Sequence, residues 1–153
     1  MHVADILKVK GHRVTTIHPN SSVAAALDQL KAENVGALVV TRDDANVLGI
    51  MSERDIVRCL ATHGPKLMDM TVGDIMTHPV RTCMPEDSVA QIMSEMTHRR
   101  IRHMPVVDKD SLLCGMISIG DVVKNRLDEV ESEAGELRNA FVGGYSATSA
   151  SLG

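Results

Sequence analysis

The chain repeats itself. Shifted by 66 residues, Pro19 aligns with Pro85, Ser22-Val23-Ala24 with Ser88-Val89-Ala90, Val40 with Val106 and Asp44 with Asp110. Gly49, Ser52, Asp55 and Val57 align in turn with Gly115, Ser118, Asp121 and Val123, giving ten identities over residues 19–58 without a gap. Upstream, Asp5-Ile6 matches Asp74-Ile75 at an offset of 69, so the first copy carries three extra residues around Lys8-Val9-Lys10-Gly11. A repeat of roughly 60 residues is marginal as an independent unit. Two copies pairing face to face would bury a shared apolar surface, and one structural domain is therefore expected.

Each copy reads alike. A short helical turn (Val3–Leu7, Val72–Met76) precedes a strand near Val14–Ile17 or Val80–Cys83, which Pro19 or Pro85 ends. Asn20-Ser21-Ser22 and Glu86-Asp87-Ser88 offer N-cap side chains. The helices that follow carry Val23, Leu27 and Leu30, or Val89, Met93 and Met96, on one face. Two apolar runs with a polar turn between them predict a strand pair, 37–40 with 47–51 and 104–107 with 113–117. A second helix starts at Ser52 and at Ser118, and the latter extends through about Arg138. The Gly/Ser/Ala-rich residues 143–153 read as a mobile tail that Phe141 and Tyr145 could dock.

Composition narrows the function. One Phe, one Tyr and no Trp leave no stacking platform for single-stranded nucleic acid, and a net charge of −4 argues against electrostatic capture of a polyanion. No apolar run is long enough to span a bilayer, and the N-terminus lacks a secretory pattern. Cys59, Cys83 and Cys114 stand at unrelated spacings, which fits a reducing cytoplasm. The histidines show no ligand spacing, and the ten Met read as core filler.

Two elements, Gly49-Ile50-Met51-Ser52-Glu53-Arg54-Asp55 and Gly115-Met116-Ile117-Ser118-Ile119-Gly120-Asp121, share the pattern Gly, two apolar residues, Ser, two variable residues, Asp. With Val14-to-Pro19, Gly36-to-Val40 and His103-to-Val107, they make each copy resemble the CBS domain, and the tandem is similar to a CBS pair (Bateman module). The resemblance implies an α+β fold, each repeat β-α-β-β-α, the two packed about a pseudo-twofold axis. Repeats are expected at 3–62 and 71–130, with a linker at 63–70 and a helical extension and flexible tail over 131–153. It also implies clefts for AMP, ADP, ATP, S-adenosylmethionine or NAD(H), control of a partner protein, homodimerisation through second-copy helices, and no catalysis.

The motif residues admit two readings. Ser52 with Asp55, and Ser118 with Asp121, form the capping box of a helix start. By analogy with the family, the same carboxylates hold a ribose, the serines hold ribose or phosphate, and the helix start receives phosphate. Arg99, Arg100 and Arg102, flanked by His98 and His103, are either a solvated helix end or a phosphate clamp; Lys10, Arg13 and Arg54 are lesser candidates. Ala37, Leu38, Met104 and Pro105 either fill the core or meet adenine at a strand edge, where the family would use backbone groups of Ile17 and Cys83 beside Thr16 and Thr82. The asymmetry between copies allows AMP in one cleft and a larger ligand such as NAD(H) in the other. The competing classes are an enzyme, for which no triad, metal cluster or Walker loop is present, and an interaction protein with vestigial clefts.

Overall fold

The structure is a computed structural model that describes the backbone of residues 1–152 and the side chains of residues 1–141. The first copy contributes α1 (Val3–Lys10), β1 (Thr16–Ile17), α2 (Val23–Glu33), β2 (Ala37–Val40), β3 (Gly49–Ser52) and α3 (Glu53–His63). The second contributes α4 (Val72–Ile75), α5 (Val89–Arg99), β4 (His103–Val107), β5 (Leu113–Ser118) and α6 (Ile119–Leu152). The expected linker is a packed 3-10 turn, Gly64–Asp69, whose Leu67 is fully buried in the first copy's core. The mobility expected of residues 143–153 and the docking expected of Tyr145 lie outside the described side chains, while Phe141 is exposed rather than docked.

β2 is buried on both faces, which its unbroken apolar run anticipates. Leu38 and Val40 point into a core with α2, α3 and the 3-10 turn. Ala37 and Val39 point the other way, into a layer shared with Ile50 and Met116 that joins the copies. β2 pairs parallel to β1 and antiparallel to β3. In the second copy β4 and β5 pair antiparallel, but the expected first strand shrinks to one bridge, Cys83 with Val106. The cause is Pro105. In the first copy Val39 N donates to Thr15 O at 3.1 Å; Pro105 holds that position and has no N–H to donate. Only the Cys83 rungs survive, Cys83 N to Pro105 O at 3.1 Å and Val107 N to Cys83 O at 2.8 Å.

The leading helices are exchanged. Val3, Ile6 and Leu7 of α1 lie in the core of the second copy, with Val89, Met96, Met104 and Ile117. Val72 and Ile75 of α4 lie in the core of the first, with Val23, Leu38 and Met51. The backbone locks match one for one. Val3 N donates to Asp87 O and Ala4 N to Pro85 O, both at 2.9 Å; Val72 N donates to Ser21 O and Gly73 N to Pro19 O, both at 2.8 Å.

Each exchanged helix lies against a motif glycine. A Cβ on Gly49 would sit 2.5 Å from Met76 Sδ and 3.0 Å from Thr77 O, and one on Gly115 would sit 2.8 Å from Leu7 Cδ2. Gly49→Ala and Gly115→Ala are each expected to destabilise by about 1–3 kcal/mol through overpacking. Gly135→Ala, in mid-helix with open space around it, should instead stabilise by about 0.5–1 kcal/mol. Urea denaturation checks all three, and motif-glycine variants as stable as the native chain would contradict the contact.

Candidate functional site

Ser52 ends β3 and caps α3. Its hydroxyl accepts from Asp55 N at 3.3 Å, and Asp55 Oδ2 accepts from Ser52 N at 2.9 Å and from Ser52 Oγ at 3.0 Å. Asp55 is 7% exposed, one of two buried polar side chains among the described residues. Its other oxygen accepts from Thr77 Oγ1 at 2.9 Å. Thr77 arrives there because the segment after α4 makes one bridge to β3: Ile50 N donates to Thr77 O at 3.0 Å and Thr77 N to Ile50 O at 2.9 Å. A carboxylate has about four acceptor positions, so Asp55 keeps one free after these three bonds.

Asp55 opens onto a cleft of about 510 Å³, within the roughly 300–1,000 Å³ usual for small-ligand sites. Gly36, Ile50, Val57 and Ile101 supply apolar wall, and Arg54, Arg58, Arg99, Arg100 and Arg102 supply cationic rim. Five arginines face two carboxylates, Glu53 and Asp55, in a chain of net charge −4. Such a cavity favours an anion. A hollow of about 500 Å³ along α5 is lined by Asp87, Gln91, Glu95 and His98 and lacks that character.

Arg100 occupies the left-handed C-cap of α5 at φ 56°, where the first copy places Asn34 at φ 52°. Asn tolerates this conformation and Arg does not, at a cost of about 1–2 kcal/mol. The carbonyl of Arg100 accepts from Arg54 Nη1 at 3.2 Å, which ties the α3 start to the rim. Arg99 lies 3.5 Å from Glu95. His103 is half-buried, its ring 3.2 Å from where a Cβ on Gly36 would stand. Burial lowers its titration below the ordinary imidazole range, the Lys10 ammonium adds to this, and Glu53 and Asp121 oppose it.

The equivalent site in the second copy is built differently. Ser118 N donates to Asp121 Oδ2 at 2.8 Å, and Asp121 N to Ser118 Oγ at 3.1 Å. Where Thr77 serves Asp55, the Lys10 ammonium reaches across the copies. Its Nζ donates to Asp121 Oδ2 at 2.7 Å and to Met116 O at 2.9 Å. Burial works against charge on Asp121, but Lys10 and the Ser118 N–H outweigh it and hold the carboxyl below its ordinary range. At the place of Arg99 stands Glu33, bonded to Arg13 at 2.8 Å. Lys10 and Arg13 are thus engaged in ion pairs at this second site.

Of the residues singled out from sequence, Ser52, Arg54, Asp55, Arg99, Arg102 and His103 converge on the first cleft. Ser118 and Asp121 lie at the second site. The side chains of Ile17, Ala37, Leu38, Cys83, Met104 and Pro105 are buried in the cores. The Cys83 N–H and carbonyl are spent on β4, and Thr16 Oγ1 donates to Asp44 at 2.6 Å. Thr77, Gly36, Glu53 and Arg58 were not anticipated. Thr77 is 22 residues from Asp55, and only knowledge of the helix exchange points to it.

A paired-repeat α+β protein with an arginine-rimmed cleft is the class these features define. The chain belongs to the CBS-domain family, whose model matches twice, over residues 3–62 and 72–128. It is 37% identical to the CBS domain-containing protein CBSX3, mitochondrial, of Arabidopsis thaliana, over 94% of this chain and 73% of that one. Among solved structures it is similar to the CBS-domain containing protein ATU1752 of Agrobacterium tumefaciens, at 42% identity and a TM-score of 0.78, covering 82% of this chain and 99% of the other. A CBS domain protein, PAE2072, from Pyrobaculum aerophilum, solved in complex with AMP, shares 26% identity and a TM-score of 0.70, covering 79% and 89% of the two chains.

Two outcomes follow. Arg100→Gly should raise stability by about 1 kcal/mol in urea, and a loss would show that the rim conformation is not strained. Lys10→Met should return the Asp121 carboxyl towards its ordinary titration. The native chain's advantage over that variant, complete at neutral pH, then fades as pH falls through the lowered Asp121 titration. Carboxyl NMR titration reads this, and an unmoved Asp121 would contradict the pairing.

Proposed function

We propose that this protein is a regulatory sensor that takes one adenine nucleotide, AMP or a close relative, in the cleft at Asp55. The carrying observation is a buried carboxylate at a helix start facing an arginine rim within one cavity. One ribose hydroxyl would donate to the acceptor position Asp55 keeps free, beside Ser52, with Ile50, Val57 and Ile101 against the base. The phosphate would lie on Arg99, Arg100 and Arg102, with Arg54 completing the clamp, since guanidinium groups match phosphate oxygens in pairs. The AMP complex of the Pyrobaculum relative supports this choice of ligand. Binding without turnover is the reading in keeping with the family resemblance. The bound state signals to a partner protein, and the chain works as a homodimer in the cytoplasm.

The site at Asp121 takes no nucleotide in this reading, because Lys10 already pairs with the carboxylate that a sugar would need. ATP or NAD(H) would have to fit the Asp55 cleft alone. Calorimetry with AMP should give one site per chain, lost in Asp55→Ala and kept in Asp121→Ala. No heat with AMP, ATP or NADH at millimolar concentration would leave the second reading, a scaffold whose carboxylates only cap their helices, which the two capping boxes favour.

His103 adds a pH signature. A phosphate beside the ring raises its titration, so protonation and binding reinforce each other. AMP affinity of the native protein should strengthen several-fold more from pH 8 to pH 6 than that of His103→Asn, the variant accounting for the phosphate's own proton. Parallel profiles would remove His103 from the site.

A further inference from the structure

Arg102 faces two ways. It lines the Asp55 cleft beside Arg99 and Arg100, and its carbonyl accepts from Ile119 N, the first N–H of α6, at 2.8 Å. The rung extends the β4–β5 ladder, in which His103 pairs with Ser118. The first N–H groups of a helix have no partner within it, so a carbonyl from another element is an anchor there. Among the described residues this is the only backbone bond from α6 to another element. Beyond the Ser118 cap, one side-chain bond adds to it, Lys10 to Asp121. α3 is held more firmly. Glu53 N donates to Gly36 O at 3.1 Å, Arg54 reaches Arg100 O and Thr77 reaches Asp55. Its far end enters the 3-10 turn anchored by buried Leu67. α6 instead runs outward, with Leu127, Val130, Leu137 and Phe141 at least half exposed.

We propose that the Arg102 carbonyl carries the state of the Asp55 cleft into α6, an inference that rests on the nucleotide reading above. Arg99, Arg100 and Arg102 put three like charges on the short turn from α5 to β4. Without an anion they repel one another and loosen that turn. A phosphate among them replaces repulsion with shared charge-assisted bonds and orders the turn. Fixing Arg102 by its guanidinium also fixes its carbonyl, so the first turn of α6 opens less often. The one helix that leaves the body thus reports occupancy without touching the ligand. The coupling is reciprocal: whatever holds the start of α6 strengthens nucleotide binding by the same factor.

Ile119→Pro cuts this link and little else. Proline suits the first helical position, where it removes only the N–H, and Ile119 does not line the cleft. Hydrogen exchange of the full chain with and without saturating AMP, read by mass spectrometry beside calorimetry, tests the proposal. In the native protein AMP should slow exchange over residues 122–127 by about fivefold or more. In Ile119→Pro the AMP heat and the slowing over α3 residues 56–60 should persist, while the slowing over 122–127 is lost. Ile119→Ala, which trims the side chain and keeps the N–H, should retain it. Arg102→Gln keeps the carbonyl and loses the clamp; saturated with AMP, it should slow α3 and not α6. AMP heat without slowing in native α6, slowing in α6 that survives Ile119→Pro or Arg102→Gln, or its loss in Ile119→Ala would overturn the link and leave the nucleotide reading standing. No AMP heat in the native protein would overturn both.

Discussion

The contact of each leading helix with the other copy's motif glycine holds this molecule together. Leu7 against Gly115 and Met76 against Gly49 bring the exchanged helices close enough for their backbone locks. Neither copy has a complete core without the helix its partner lends. The two copies therefore form one cooperative unit, and a change at either glycine is felt in the core of both.

The same exchange makes the two sites unequal. After α4 the chain makes one bridge to β3, and Thr77 brings its hydroxyl to Asp55. After α1 the three extra residues of the first copy carry Lys10 to the equivalent place. There one ammonium takes over both the carbonyl and the carboxylate. A neutral hydroxyl leaves Asp55 without a counter-charge, whereas Asp121 holds a cation at 2.7 Å. The rims diverge in the same sense, Arg99 and Arg100 on one side, Glu33 and Asn34 on the other. A small insertion, with the substituted rim, thus leaves a duplicated scaffold with two unequal sites.

Much of this was legible beforehand. The repeat, the capping serines and aspartates, and the arginine cluster are local patterns, and the structure brings Ser52, Asp55, Arg99, Arg102 and His103 to one cleft. The exchange was not legible, because two copies with the same apolar pattern do not say which core receives which helix. The Lys10–Asp121 pair spans 111 residues and leaves no spacing signal. The weakened first strand of the second copy was visible in principle, since Pro105 aligns with Val39. Ala37, Leu38 and Met104, for which the sequence left core packing and adenine contact both open, have side chains buried in the core.

The central claim is one nucleotide held at Asp55 and none at Asp121. A crystal structure of the protein grown with AMP tests it most directly. The account predicts nucleotide density with the sugar against Asp55 and the phosphate among Arg99, Arg100 and Arg102, while Lys10 stays on Asp121. Density at Asp121 with Lys10 turned away, or an Asp55 cleft holding only solvent, would contradict it.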